Sequence, residues 1–319
     1  MIANELALIF PGQGSQKIGM LAAAAAAHPS VAQTFEEAST ALGYDTWDLV
    51  QNGEQEALNM TETTQPILLT SSVALWRSWR AAGGPIPARM AGHSLGEFSA
   101  LVCAGAIAFP DAVRLVRERG AAMQAAVPVG EGAMAAIIGL EDEAVNGACD
   151  DAAQESGEVV SAVNYNSPGQ VVIAGKAAAV ELAVEQCKAA GARRAMPLPV
   201  SAPFHTALMK PAGERLEAVL GEIPVSAPEI PVIHNVHAAA ETDPARIRSL
   251  LVEQIYSPVR WTACVQAMLG AGANRFVECG PGKVLSGLNR RIDKSLESFN
   301  LEEVEDFNTA LSALNGEEG

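Results

Sequence analysis

Residues 89–97 constrain this chain more than any other stretch. Within them Gly92-His93-Ser94-Leu95-Gly96 matches G-x-S-x-G, the mark of a nucleophile elbow: a strand, a sharp turn with the serine at its tip, then a helix. Gly92 and Gly96 flank Ser94 because a side chain on either side would crowd the bend. The helix is expected to begin at Leu95, and Glu97, Phe98, Ala100, Leu101 and Cys103 suit it. Ser94 then sits at a helix N-terminus, where backbone N–H groups point at an incoming oxyanion. The breaker Gly83-Gly-Pro-Ile-Pro87 leads into a short strand before the elbow. The competing reading of the motif is a glycine-rich turn with a spare serine.

At 319 residues and 49% hydrophobic, the chain can bury a large core, enough for one big domain or a domain with an insert. It holds no run of eighteen apolar residues, so no membrane span is expected. The start, Met1-Ile-Ala-Asn-Glu-Leu, has no basic region and no cleavage site, which predicts no signal peptide. Five scattered cysteines with no C-x-x-C pair predict a reduced, cytoplasmic protein without structural zinc. A net charge of −16 argues against non-specific nucleic-acid binding. Anionic ligands then require basic groups gathered locally.

Taken in order, Glu5-Leu-Ala-Leu-Ile-Phe10 reads as a buried strand that ends in the loop Pro11-Gly-Gln-Gly-Ser-Gln16. That loop fits neither common phosphate-binding glycine pattern; it can instead present a backbone N–H to a site. Residues 30–82 read as helices, with Pro66 near a helix start. A helix opens at Phe109-Pro-Asp111 and runs to about residue 126. On it Ala112, Val116, Arg119 and Met123 form one stripe, with Arg114, Arg117 and Glu118 opposite. Arg119 therefore faces inward and must find an anion, either a substrate or a core carboxylate.

From residue 127 the texture changes. Strands at 133–138, 159–164, 170–174 and 193–198, with helices at 141–153 and 176–190 and a turn at 166–169, give the order βαββαβ, a ferredoxin-like unit. The expected organisation is an α/β core with a parallel sheet over residues 1–127 and 200–319, and a small inserted subdomain over 128–199. Further strands are expected at 230–236 and 275–279. Helices are expected at 207–220, 244–256, 261–271 and, with a basic character, 284–294. The acidic tail from Glu297 reads as solvated surface.

Of the five histidines, His205 is the best general base, in a loop after a strand and before a helix. His28 reads as surface. His93, at the elbow, can line the site. His234 and His237, three apart on an expected strand, fall on opposite faces and make a poor metal pair. No acid announces itself near His205. A backbone carbonyl can hold the same ring nitrogen, which favours a Ser–His dyad over a triad. A serine esterase or thioesterase would share the elbow and the histidine but not need an inward arginine. A non-enzymatic carrier-docking module would tolerate loss of Ser94.

Seven motifs occur together and in order: Phe10-Pro-Gly-Gln-Gly-Ser-Gln16, Gly92-His-Ser-Leu-Gly-Glu97, Arg119 with Met123-Gln124, Asn166-Ser-Pro-Gly-Gln170, Pro199-Val-Ser-Ala-Pro-Phe-His205, Val252-Glu-Gln-Ile-Tyr256 and Glu278-Cys-Gly-Pro-Gly-Lys283. With them the chain resembles the malonyl-CoA:acyl carrier protein transacylases of bacterial fatty-acid synthesis over nearly its whole length. The resemblance implies an α/β-hydrolase-like core with a ferredoxin-like insert. It implies acylation of Ser94 with His205 as base and Arg119 on the malonyl carboxylate. Oxyanion N–H groups would come from Gln13 and Leu95, and Gln254 would offer a carbonyl to the histidine. Phe204 before the histidine is shared with malonyl-selective acyltransferase domains of polyketide synthases and would disfavour an α-methyl branch. The implied partners are malonyl-CoA and an acidic acyl carrier protein, with no metal or redox cofactor; a monomer is expected. Arg193-Arg194 and Arg290-Arg291, with Lys294, are the basic clusters best suited to dock that carrier.

Overall fold

The computed structural model describes residues 2–200 and 202–316. Met1, Ser201 of the histidine motif and the last three residues of the acidic tail lie outside them. Nine strands are found among the described residues: β1 (Ile2–Phe10), β2 (Ile86–Gly92), β3 (Gly132–Ile138), β4 (Val160–Ser167), β5 (Gln170–Lys176), β6 (Arg194–Pro197), β7 (Val232–Ile233), β8 (Arg275–Glu278) and β9 (Glu297–Asn300). They form a parallel sheet in the order β7-β2-β1-β8-β9 and an antiparallel sheet in the order β4-β5-β3-β6.

Residues Leu6 to Phe10 of β1 are all buried, as expected of a parallel strand covered on both faces. The two-residue period of a strand divides them. Leu6, Leu8 and Phe10 pack with the Pro29–Leu42, Thr61–Ala81 and Phe109–Ala125 helices. Ala7 and Ile9 pack on the other side with the Trp261–Gly270 and Val284–Ile292 helices. β1 and β2 run in register from Ala7↔Arg89 to Phe10↔Gly92, so their carboxyl ends open at one edge of the sheet. The strand order changes direction at β1, and such switch points are where α/β sheets build sites.

The antiparallel sheet and its helices Asp142–Ser156 and Ala177–Ala189 have a core of their own, including Ile137, Val145, Val171, Ile173 and Ala183. This is the βαββαβ unit. β4 joins it to the larger body: Tyr165 N–H donates to Val259 O at 3.0 Å, and Val259 N–H donates to Val163 O at 2.8 Å.

Several expectations need correction. The tail is not a solvated surface. Glu297–Asn300 forms the edge strand β9, and the Val304–Asn315 helix buries Phe307 and Ala310. The run of acids at 302–306 hid an amphipathic helix whose apolar side, with Phe307 and Ala310, is buried. His28 is half-buried rather than surface, its ring centroid 4.4 Å from that of Phe307. The strand expected at 230–236 shrinks to Val232–Ile233. The chain turns at once after it, so the His234 and His237 rings are neighbours, with centroids 5.9 Å apart, not opposed across a strand. Pro66 lies inside a helix that starts at Thr61. The helix at 284–292 takes its N-terminal support from Glu278. That carboxylate accepts from Leu285 N and Ser286 N at 3.0 and 2.8 Å.

Candidate active site

Ser94 stands where the elbow reading puts it, between β2 and the Leu95–Cys103 helix, at φ 51° and ψ −105°. Positive φ is unusual for a side-chain-bearing residue and persists only where the surroundings enforce it. Here they do. A Cβ on Gly92 would lie 1.8 Å from the Gly96 carbonyl carbon, and one on Gly96 would lie 2.0 Å from Phe10 O. The bend is therefore clamped between β1 and its own helix.

His205 follows the small subdomain, also at positive φ, 62°. Its Nδ1–H donates to the backbone carbonyl of Gln254 at 2.8 Å. A carbonyl only accepts, so Nδ1 carries the proton and Nε2 is bare. The Ser94 hydroxyl donates to that Nε2 at 2.8 Å. Burial, joined by the nearby Arg119 charge, pulls the His205 pKa down to about 3, with the Gln254 hydrogen bond opposing. A buried neutral imidazole beside a serine hydroxyl is a base ready to take its proton.

Arg119 is almost wholly buried, 1% exposed. Its Nη1 donates to Gln65 Oε1 and its Nη2 to Gln254 Oε1, both at 2.8 Å, and Nη2 also reaches Ser94 Oγ at 3.2 Å. Gly120, the next residue, lets this happen: a Cβ there would meet Thr61 O at 2.5 Å, so the two helices approach closely and bring Gln65 to the guanidinium. Burial lowers the Arg119 pKa to about 9, with Glu97 opposing, which leaves a cation at neutral pH. The geometry bears on one of the two readings of this inward arginine, the core ion pair. Among the described residues no carboxylate lies within the 4.0 Å of an ion pair. Neutral amides hold the charge in place and leave it to be matched by something else.

Behind the elbow lies a buried polar group that sequence reasoning missed. Asn235 Oδ1 accepts from Ser94 N at 2.8 Å, and its Nδ2 donates to Gly92 O at 2.8 Å. The Gln254 side chain donates from Nε2 to Ser94 O at 3.0 Å and to Glu97 Oε2 at 2.8 Å. Glu97 also accepts from Asn235 N and His234 Nδ1. The one sequence signal was the acid at the end of the elbow motif.

The cleft in front of Ser94 has a free volume of about 130 Å³ and is lined in part by Gln13, Leu95, Met123, Phe204 and His205. Gln13 comes from the loop after β1 and Leu95 opens the elbow helix. Neither backbone N–H has a hydrogen-bond partner among the described residues. His93 also lines the cleft, its Nε2 held by Asn166 Oδ1 at 2.8 Å.

The family model of the acyl transferase domain matches residues 7–310. The malonyl CoA-acyl carrier protein transacylase of Salmonella typhimurium is 57% identical over 309 residues, 97% of this chain and 99% of that one. This chain belongs to the malonyl-CoA:acyl carrier protein transacylase family. It is an acyltransferase. An acyl carrier protein S-malonyltransferase from Vibrio cholerae, solved as a crystal structure, superposes with a TM-score of 0.94 at 58% identity, covering 96% of this chain and 99% of that chain. A malonyl-transacylase solved in complex with a type II PKS acyl-carrier protein gives 0.95 at 54% identity, covering 97% and 99%.

The basic clusters lie outside the cleft. Arg193, Arg194, Arg290, Arg291 and Lys294 are all exposed. Each group has a contact near the Gly169-Gln170 turn. The Arg193 side chain packs on Gly139, whose N–H donates to Gly169 O at 2.7 Å. The next residue, Gln170, accepts from Arg291 Nη1 at 2.6 Å. No described helix is long and apolar enough to cross a membrane.

Proposed function

We propose that this acyltransferase moves a malonyl group from malonyl-CoA to the phosphopantetheine thiol of an acyl carrier protein, through a malonyl ester on Ser94. One observation carries the reading: Ser94 Oγ lies 2.8 Å from a neutral imidazole and 3.2 Å from a buried guanidinium that has no carboxylate partner among the described residues. The first relation makes a nucleophile. The second sets a cation for a substrate anion beside the reacting oxygen. The names of the Salmonella and Vibrio relatives and the carrier-bound neighbour support the same substrate and partner.

In the first half-reaction His205 Nε2 takes the Ser94 proton while Oγ attacks the thioester carbonyl. The Leu95 and Gln13 N–H groups receive the developing oxyanion. As the intermediate collapses, the C–S bond breaks and the imidazolium returns its proton to the coenzyme A thiolate. In the second half His205 takes the proton of the carrier thiol, the sulfur attacks the ester, and Ser94 leaves with the proton restored. Every group used belongs to this one chain. The five unpaired cysteines fit a reducing cytoplasm.

Incubation with malonyl-CoA and no carrier should add one malonyl mass to the protein, on the peptide holding Ser94. Ser94→Ala should abolish it. A label on another residue would end this reading.

A further inference from the structure

Glu97 lies in the first turn of the elbow helix and is fully buried. A carboxylate there usually serves its own helix N-terminus. This one instead takes three donors from elsewhere in the chain: His234 Nδ1 at 2.7 Å, Asn235 N at 2.9 Å and Gln254 Nε2 at 2.8 Å. Two of those donors belong to residues that hold the reacting groups. Asn235 accepts from Ser94 N and donates to Gly92 O. Gln254 presents its backbone carbonyl to His205 and its side-chain carbonyl to Arg119.

The Gln254 amide has one acceptor end and one donor end. If it flipped, its NH2 would face the Arg119 guanidinium, donor against donor, and its oxygen would face the carboxylate. Glu97 fixes the orientation that Arg119 requires.

We propose that Glu97 is a positioning residue for acyl transfer: by holding Gln254 and Asn235 it sets the places of His205, Arg119 and Ser94. This rests on the reading that Ser94 and His205 carry the reaction. The role depends on the reach of an acceptor atom, which separates it from a role for charge alone. In Glu97→Gln the amide oxygen can keep the Asn235 and Gln254 bonds, while its NH2 faces His234 Nδ1, which accepts in its other tautomer. Glu97→Asp keeps the charge and falls one methylene short.

The test measures Ser94 malonylation from malonyl-CoA, and the malonyl-over-acetyl preference, in wild type and in both variants after thermal melts confirm folding. Asp should slow acylation by about 100-fold, the scale of a misplacement near 1 Å, and erode the preference. Gln should stay within about tenfold of wild type and keep the preference. A Gln variant slower than the Asp variant, or an Asp variant equal to wild type, overturns the positioning role while leaving Ser94 as nucleophile. Absence of label on wild-type Ser94 overturns the parent reading as well. Should Glu97→Asp fail to fold, Glu97→Met replaces it, keeping length without an acceptor; slow, unselective transfer supports the role and wild-type behaviour overturns it.

Discussion

Arg119 Nη2 lies 3.2 Å from Ser94 Oγ, so the buried cation and the nucleophile share one small space. In the proposed malonyl ester the carboxylate would stand one methylene from the ester carbon on Ser94, beside that guanidinium. An acetyl group offers it nothing.

The first prediction follows. Arg119→Ala should lower malonyl transfer sharply and reduce the preference for malonyl over acetyl by at least about tenfold, since losing a charge-assisted pair costs about 2–5 kcal/mol. Arg119→Lys should rescue only in part, because the planar fork is lost. Arg114→Ala, on the exposed side of the same helix, is the control. Competition between the two coenzyme A esters measures the ratio. Unchanged selectivity with only a lower melting temperature would mark Arg119 as structural.

The second concerns pH. Burial holds His205 well below the ordinary histidine value of 6.5, at about 3, and lowers His93 as well. His205 therefore stays neutral through mildly acidic solution, and the malonylation rate should stay nearly flat from pH 8 to about 5. A rate that halves near pH 6.5 would contradict it. Stability behaves differently. Below 6.5 the unfolded chain takes up protons that the folded one refuses, so both histidines remove stability as pH falls below 6.5, His205 down to about 3. Above 6.5 both states are unprotonated and their contribution is constant. Denaturant unfolding across that range measures it.

Carrier docking gives the third. The chain carries a net charge of −16, so an acidic partner needs a local basic surface. Arg193 packs on Gly139, which bonds Gly169, and Arg291 bonds Gln170, so each cluster has a contact at this turn. Reversing Arg290 and Arg291 to Glu should weaken transfer to carrier, more so at low salt, and leave self-malonylation intact. Equal loss in both half-reactions would remove the docking role.

The fourth tests the corrected tail. Phe307 is buried, with its ring edge-on to Trp79 at 5.7 Å between centroids. Phe307→Ala should lower unfolding stability by about 3–5 kcal/mol, as large-to-small core changes do. A solvated tail would show almost no change on denaturation.

The sequence by itself determined whatever is enforced between near neighbours. Gly92 and Gly96 announce the elbow because the clash they avoid is with atoms a few residues away or on the paired strand. The inward stripe of Arg119 follows from helical period alone, as does the βαββαβ order from alternating patterns. His205 stood out as the base from its loop position, and the motif resemblance added roles for Gln13, Leu95 and Gln254; the cleft is lined by Gln13, Leu95 and His205, with Gln254 bonded to that histidine. Tertiary structure decided the rest. Nothing local says that Glu97 will meet His234 and Asn235, that Gln65 will meet Arg119, or that an acidic tail will return to cover Trp79. Those partners stand 137, 138 and 54 residues apart for the polar contacts. Steric limits and hydrophobic period act over a few residues. The pairing of a buried polar group is settled by which distant segment the fold brings to it, because burial forbids it to go unpaired.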